Sequence, residues 1–313
     1  IVAWMSHNRL NYKPTLPYHM NAVAGRLAAR GIDPDGGQHT FHWLVPCDEY
    51  FDSHPEYFPE IGGKRQCRGS NSVNMQICVS QPAVAQVIID KARALFTAYP
   101  TLETFGIIPN DGSIGWCQNP DCLAWDGAQE GTATYSNRLM RLVNTVADAL
   151  AAEYPDKMFL TLAYDNYREP PDIEISPNVA IRLTTTGRNF LKKLTDPTDP
   201  SNALIMRQLQ GWLNKAEHVT LYEYYYFSGV DYAPSPIART LCEEYPELLA
   251  AGLKGVVAET LPWHWQSLRL PAYALARCGW DTSLGYDDLL NDYSAKIYGP
   301  ASTSMKSYHV LYE

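Results

Sequence analysis

The feature that most constrains the fold is an alternation repeated along nearly the whole chain. Short, almost uninterrupted apolar runs are followed by stretches of helical periodicity. The runs are IVAWMS (1–6), HTFHWLVP (39–46), MQICVS (75–80), FGII (105–108), MFLTLAY (158–164), VAIRLTTT (179–186), VTLYEYYYF (219–227) and GVVAET (255–260). Strands that are apolar on both faces suit a parallel sheet covered by helices on each side. Between them, residues 20–30 read as a helix stopped by Gly31. Residues 82–98 place Val84, Val87, Ile88, Leu95 and Phe96 on one helical face, and 132–153 do the same with Leu139, Leu142, Val143, Val146 and Leu150. Further helices are expected at 203–216, 237–251 and 266–277, with a helical tail from Tyr286 to Glu313. Up to eight strands separated by helices predict an α/β chain: a (β/α)8 TIM barrel over residues 1–280, then a helical C-terminal extension over 281–313. A doubly wound open sheet is the alternative, but no strand leads into a G-x-G-x-x-G or Walker-type loop. The chain opens at Ile1 inside an apolar run, so it reads as a piece of a longer protein, its barrel truncated at the N-terminus. One apparent strand, 75–80, is the candidate to lie outside the barrel.

Composition narrows the partners. A net charge of −9 argues against nucleic acid. No run approaches ~18 apolar residues, so no transmembrane span is expected. Nothing in the sequence sets the oligomeric state. Seven cysteines are an odd count in a chain of 313 residues and do not suggest a disulfide framework. Cys78, Cys242 and Cys278 sit in apolar settings and read as small buried hydrophobes. Cys47 and Cys67 lie in loop-like stretches and receive no role. Cys117 and Cys122 read first as a loop-stabilising disulfide and next as free thiols, because two cysteines cannot complete a tetrahedral metal site.

In a barrel of this kind, polar residues at the C-terminal ends of strands line one common opening. Here they are Trp4, His7 and Arg9; His42; Asn110 and Asp111; Tyr164 and Asp165; Arg182 and Arg188; Glu223 and Tyr225; and Glu259, Trp263, His264 and Trp265. Carboxylates, arginines and aromatics together suit a carbohydrate better than a phosphate or a nicotinamide. Two carboxylates flanking a glycosidic bond are the usual glycosidase apparatus: one protonates the leaving oxygen, and the other stabilises or attacks the anomeric carbon. Asp111 follows a buried strand on an Asn-Asp-Gly turn, Glu259 ends the run VVAE, and Glu223 interrupts LYEYYYF. These three are the catalytic candidates. Arg9, His42, Asn110, Tyr164, Asp165, Arg182 and Tyr225 are expected to bind hydroxyls or an acetamide, and Trp4, Trp263 and Trp265 to stack on rings. His39 and His42 form H-x-x-H, but on a strand residues three apart face opposite ways, so neither a metal nor another cofactor is expected. The rival reading from another class is a non-catalytic glycan-binding barrel. A metal-dependent hydrolase would need three or four clustered ligands, and no good set is visible.

Several stretches resemble a known family. HTFHWLVPCDEYFDSHPEYFPEIGGKR, MQICVSQPAV and IIPNDGSIGWCQNPDC, with LAYDNYREPP, LYEYYYF, GLKGVVAET and WDTSLGYDDLLNDYSAKIYGPA further on, resemble the bacterial domain of unknown function 4838 family over nearly the whole chain. That family is similar to (β/α)8 glycoside hydrolases, and one branch consists of endo-β-N-acetylglucosaminidases acting on N-glycans. The resemblance implies a glycan substrate, an exported parent protein acting outside the cytoplasm, and functional roles for Asp111 and Glu259. Two departures stand out. The family's Cys-x-Cys-x2-Cys loop retains only Cys117 and Cys122. The adjacent Asp-Glu used by hexosaminidases that recruit the substrate's own acetamide is matched in place by Asn110–Asp111.

Overall fold

The computed structural model describes residues 39–69, 75–126, 135–225, 234–259 and 265–313, together with the backbone of 12–14 and 33–35. Its strands are β1 (Tyr12–Pro14), β2 (Asp33–Asp35), β3 (Glu60–Ile61), β4 (Lys64–Arg65), β5 (Thr104–Gly106), β6 (Met158–Ala163), β7 (Val179–Thr184), β8 (His218–Tyr224) and β9 (Gly255–Glu259). Its α-helices are α1 (Phe41–Leu44), α2 (Cys47–Tyr50), α3 (Pro82–Ala98), α4 (Pro120–Ala124), α5 (Ser136–Leu150), α6 (Pro200–Leu213), α7 (Ala238–Ala250), α8 (Trp265–Cys278), α9 (Tyr286–Tyr298) and α10 (Ser302–Tyr312). β5 to β9 form a five-stranded sheet in sequence order, with β5–β6 and β8–β9 parallel. The result is an α/β fold whose parallel sheet corresponds to half of a (β/α)8 barrel.

Two of the expected strands are not strands. HTFHWLVP folds as the short helix α1, because Thr40 and Phe41 both donate their N–H groups to one carbonyl, Ile108 O, at 2.9 and 3.1 Å. A single shared acceptor cannot propagate a ladder. MQICVS takes no regular secondary structure and ends in a turn at Val79–Ser80; its N–H groups go to three separate places: Met75 to Cys67 O, Gln76 to Gly115 O and Cys78 to Tyr57 O. The expected strand at 1–6 and helix at 20–30 lie outside the described residues.

The described residues fall into two compact units: residues 12–182 with 214–218, and residues 183–213 with 219–313. In the first, α3 and α5 each bury an apolar stripe, Val84, Ile88, Ala92, Leu95 and Phe96 in one, Leu139, Leu142, Val143, Val146 and Leu150 in the other. Phe96 of α3 meets Phe105 of β5 and Phe159 of β6 at ring separations of 6.1 and 6.2 Å, the range of edge-on aromatic contacts. In the second unit, a Cys242–Cys278 disulfide joins α7 to the end of α8. The Glu313 carboxylate accepts the N–H groups of Ala238 and Arg239 at the start of α7, where exposed amides and the helix dipole favour an anion. Among the described residues no helix is long and apolar enough to cross a membrane.

Candidate active site

The first unit builds a polar site at the exit of β5. Past Gly106 the chain stays extended: Ile107 N donates to Leu160 O on the β6 side. On the other side Thr40 takes over, its Oγ1 donating to Gly106 O and accepting from Ile108 N, both at 2.9 Å. Asn110 then enters a nearly closed setting, 5% exposed, in which every polar group is paired. Its Oδ1 accepts from the His42 amide at 2.9 Å and lies 3.2 Å from His42 Nδ1, while its Nδ2 donates to Met75 O at 2.7 Å. Its backbone exchanges two hydrogen bonds with the Gln76 amide, each 2.9 Å long. Asn110 is therefore the anchor of the turn, and His42 is part of that anchorage.

Asp111, next along, is the group that projects. Its side chain is 71% exposed. Tyr164, just past β6, donates its hydroxyl to Asp111 Oδ1 at 3.2 Å. His39 Nδ1 lies 2.7 Å from Pro109 O, which can only accept, so Nδ1 carries the proton and Nε2 faces Asp111 Oδ1 at 3.7 Å. The imidazole becomes an ion-pair partner for Asp111 when it takes up a second proton. His39 was missed as an Asp111 neighbour because a strand would have turned it away from His42. The helical turn instead brings both imidazoles to residues 109–111. Asp165 is exposed, with a positive φ of 48° that Asp tolerates better than most residues. Arg182 is buried in β7.

Behind the turn lies a cluster that the sequence does not announce. Cys117 and Cys122 are not bonded to each other; they are free thiols, joined by Cys78. Cys78 Sγ is 3.6 Å from Cys117 Sγ and 3.8 Å from Cys122 Sγ. Hydrogen bonds from Cys117 and Cys122 hold the Cys78 thiol far below its ordinary range, while hydrogen bonds with Cys117 and Cys78 push Cys122 up. Of the remaining cysteines, Cys47 pairs with Cys67 and Cys242 with Cys278, where the sequence had suggested no role and buried hydrophobes.

The second unit holds the other two catalytic candidates, and register separates them. Across β8 and β9, Tyr222 pairs with Val257, Glu223 with Ala258 and Tyr224 with Glu259. Side chains alternate along a strand, so Glu259 shares a face with Tyr222 and Tyr224, while Glu223 points to the opposite face. Tyr222 accordingly donates its hydroxyl to Glu259 Oε2 at 2.8 Å. The half-buried Glu259 thus has the same kind of partner as Asp111: a tyrosine from the neighbouring strand.

Glu223 does not join Glu259 on one face, as had been expected. It is 1% exposed. One oxygen accepts from Thr185 Oγ1 at 2.7 Å, and the other is ion-paired to Arg188 Nη1. The same guanidinium reaches both oxygens of Glu244 on α7 at 2.6 Å, and Glu244 also accepts the Leu194 amide at 2.7 Å. Burial pushes the Glu244 carboxyl above its ordinary value despite Arg188. Burial by itself would lower Arg188, yet Glu223 and Glu244 outweigh it and raise the guanidinium further. Tyr225 is wholly buried, its hydroxyl 2.6 Å from that of Tyr245, and burial raises it well above the usual phenol. Glu223 and Tyr225 thus lie in the core around α7. Trp265 is half-buried at the start of α8. Trp4, Arg9 and Trp263 lie outside the described residues.

A family model described as Domain of unknown function (DUF4838) matches residues 1–310. No curated protein matches the chain. Among solved structures, a β-N-acetylhexosaminidase from Bacteroides fragilis NCTC 9343 superposes over 96% of this chain and 67% of its own, with a TM-score of 0.54 at 10% identity. A chitinase from Rhizomucor miehei covers 83% of this chain and 86% of its own, with a TM-score of 0.44 at 12% identity. At these identities the hexosaminidase likeness speaks for the fold.

Proposed function

The chain belongs to the DUF4838 family, and from that premise we propose that it is a glycoside hydrolase acting on glycans, with N-acetylglucosamine-containing chains as the preferred class. One observation carries the reading. Two carboxylates, Asp111 after β5 and Glu259 ending β9, stand at C-terminal strand ends, each hydrogen-bonded by a tyrosine from the adjacent strand. That position on a parallel α/β fold is where catalytic groups are presented. The similarity of the fold to a β-N-acetylhexosaminidase supports the choice of substrate class.

Glycoside hydrolysis needs one carboxyl to protonate the glycosidic oxygen as its bond to the anomeric carbon breaks, and a carboxylate to stabilise or capture that carbon until water completes hydrolysis. Asp111 and Glu259 are the candidates for these two roles. Tyr164 and Tyr222 orient the carboxylates, and His39 holds Asp111 when protonated. Asn110 acts through the turn it anchors. Glu223, enclosed with Arg188 and Glu244, has a structural role in this assignment. We further infer work outside the cytoplasm, a reading supported by two disulfides, a bond type that persists in oxidising compartments.

The test is a screen against released N-glycans and aryl glycosides with reducing-end detection, on the native chain and on Asp111→Asn and Glu259→Gln. New reducing ends, lost in both variants, are expected. Full activity in both variants would sink the assignment. The exposure of Asp111 favours one rival, glycan binding without cleavage. Retained glycan affinity with no reducing ends released from any substrate would establish that rival instead.

A further inference from the structure

We propose that Cys78, Cys117 and Cys122 bind one zinc ion that clamps the loop behind Asp111. Three separate observations converge on the site. All three sulfurs are buried and their atoms lie within 4.8 Å of one another. The two Sγ–Sγ separations given above, 3.6 and 3.8 Å, match the edge of about 3.8 Å that a tetrahedron with Zn–S bonds of about 2.3 Å requires. Thiols in plain contact could stand equally close, so the donors around them decide the matter. The Glu60 amide donates to Cys117 Sγ at 3.2 Å, Arg65 Nη1 approaches the same sulfur at 3.8 Å, and Asn119 Nδ2 donates to Cys78 Sγ at 3.5 Å. N–H groups and a guanidinium aimed at sulfur stabilise thiolates, and such outer partners orient the ligands of metal sites.

The chemistry also favours zinc over a disulfide. Three thiols can form at most one bond among themselves and would leave one over, whereas a soft cation uses all three. Binding forms three Zn–S bonds and releases the thiol protons to solvent, with no change of oxidation state. Three thiolates on a divalent ion leave one negative charge, facing the Arg65 cation. The fourth position falls to water or to Ser80 Oγ, which lies 3.0 Å from Cys122 Sγ and 3.7 Å from Cys78 Sγ. No further His, Cys, Asp or Glu joins the group among the described residues.

The ion would tie together segments that hydrogen bonds already bring close. Cys78 lies two residues past Gln76, the double partner of Asn110. Cys117 is held from behind by Arg138 of α5, which donates to its carbonyl at 2.7 Å and is ion-paired to Asp126. The β3–β4 hairpin contributes Glu60 and Arg65. Zinc here would brace the Asp111 turn without touching it, so the proposal stands independently of glycosidase activity.

The test uses the full chain purified without chelator or reductant from zinc-supplemented medium. About one zinc per chain by elemental analysis is expected. Protein made in cobalt medium should show thiolate-to-cobalt charge-transfer absorption with the intensity of three thiolates. Asn119→Asp keeps the helix-capping oxygen that accepts Cys122 N but removes the donor to Cys78, and should weaken zinc about tenfold in a chelator competition. Cys78→Ser, Cys117→Ser and Cys122→Ser should each lose the metal, and Cys47→Ser should keep it. If the serine variants fail to fold, the metal content and cobalt spectrum of the native chain decide. Native protein that is metal-free, or in which mass spectrometry maps a disulfide between two of the three cysteines, would overturn the proposal.

Discussion

The most exacting check on the second unit is Arg188→Met. The Arg188 guanidinium is fully buried between Glu223 and Glu244, themselves 1% and 0% exposed. At charge separations of about 4 Å and an effective dielectric near 20, each carboxylate gains about 4 kcal/mol from the cation. The neutral thioether side chain would withdraw both attractions at once. Glu244 then limits the loss by taking up a proton, at about 1.4 kcal/mol per unit of pKa. The net cost should settle at about 3–5 kcal/mol, the range for a buried charge stripped of its partner. The deficit has a definite pH signature. Burial already raises Glu244, and without Arg188 its carboxyl would stand still further above its unfolded value. The folded variant then binds more protons than the unfolded chain between those values, so its stability falls as pH rises through that window. Urea unfolding should therefore show a larger gap from the native chain at about pH 8 than at about pH 5. Adding Glu223→Gln and Glu244→Gln to the Arg188→Met variant should recover most of the loss. A cost below ~1 kcal/mol, typical of exposed pairs, or a gap that does not change with pH, would refute this reasoning.

Other perturbations probe the first unit and the cross-links. Asn110→Ala leaves the Met75 carbonyl and the His42 amide without their partner, and should cost about 2–4 kcal/mol by chemical denaturation. Gly115 has a φ of +82°, and an added Cβ would lie 3.1 Å from Met75 Cα and 3.2 Å from Gln76 N. Gly115→Ala should thus destabilise by about 1–3 kcal/mol and lower glycan cleavage without altering any polar side chain. Tyr164→Phe should reduce kcat/KM about tenfold and leave stability nearly unchanged, which separates a positioning role from packing. Opening Cys242–Cys278, which spans 36 residues, by the paired serine substitutions should cost about 4 kcal/mol in thermal unfolding.

Much of the architecture was legible because its cause is local. The apolar stripe of 82–98 reproduces α3 from Pro82 to Ala98, and the five strands from 104 to 259 fall within a few residues of their apolar runs. What failed depended on distant partners. HTFHWLVP has strand-like composition, but Ile108 O gathers its amides into a turn. MQICVS divides its hydrogen bonds among three segments and so joins no ladder. The cysteine partners lie 20 to 44 positions apart, a distance over which sequence carries no geometric signal. Glu223 is different, because its placement was readable in principle. Alternation along LYEYYYF sets it opposite Tyr222 and Tyr224, and the register of β9 puts Glu259 with the tyrosines. For Asp111, the Asn-Asp-Gly turn was visible, but the division of labour was not: Asn110 is the buried anchor and Asp111 the projecting group.

The contact between Thr40 and residues 106–108 also bears on how firmly the turn is held. Gly106 and Ile108 are buried, where backbone groups cannot turn to water for a partner. Gly106 O, Ile108 N and Ile108 O are all engaged by Thr40, with one hydroxyl and one amide. The same threonine that sets the path into Asp111 thus completes the hydrogen bonding of the backbone that leads to it. In Thr40→Val the backbone contact can persist while the hydroxyl is gone. Its first symptom should be a loss of about 1–3 kcal/mol in urea unfolding, for the buried groups left unpaired.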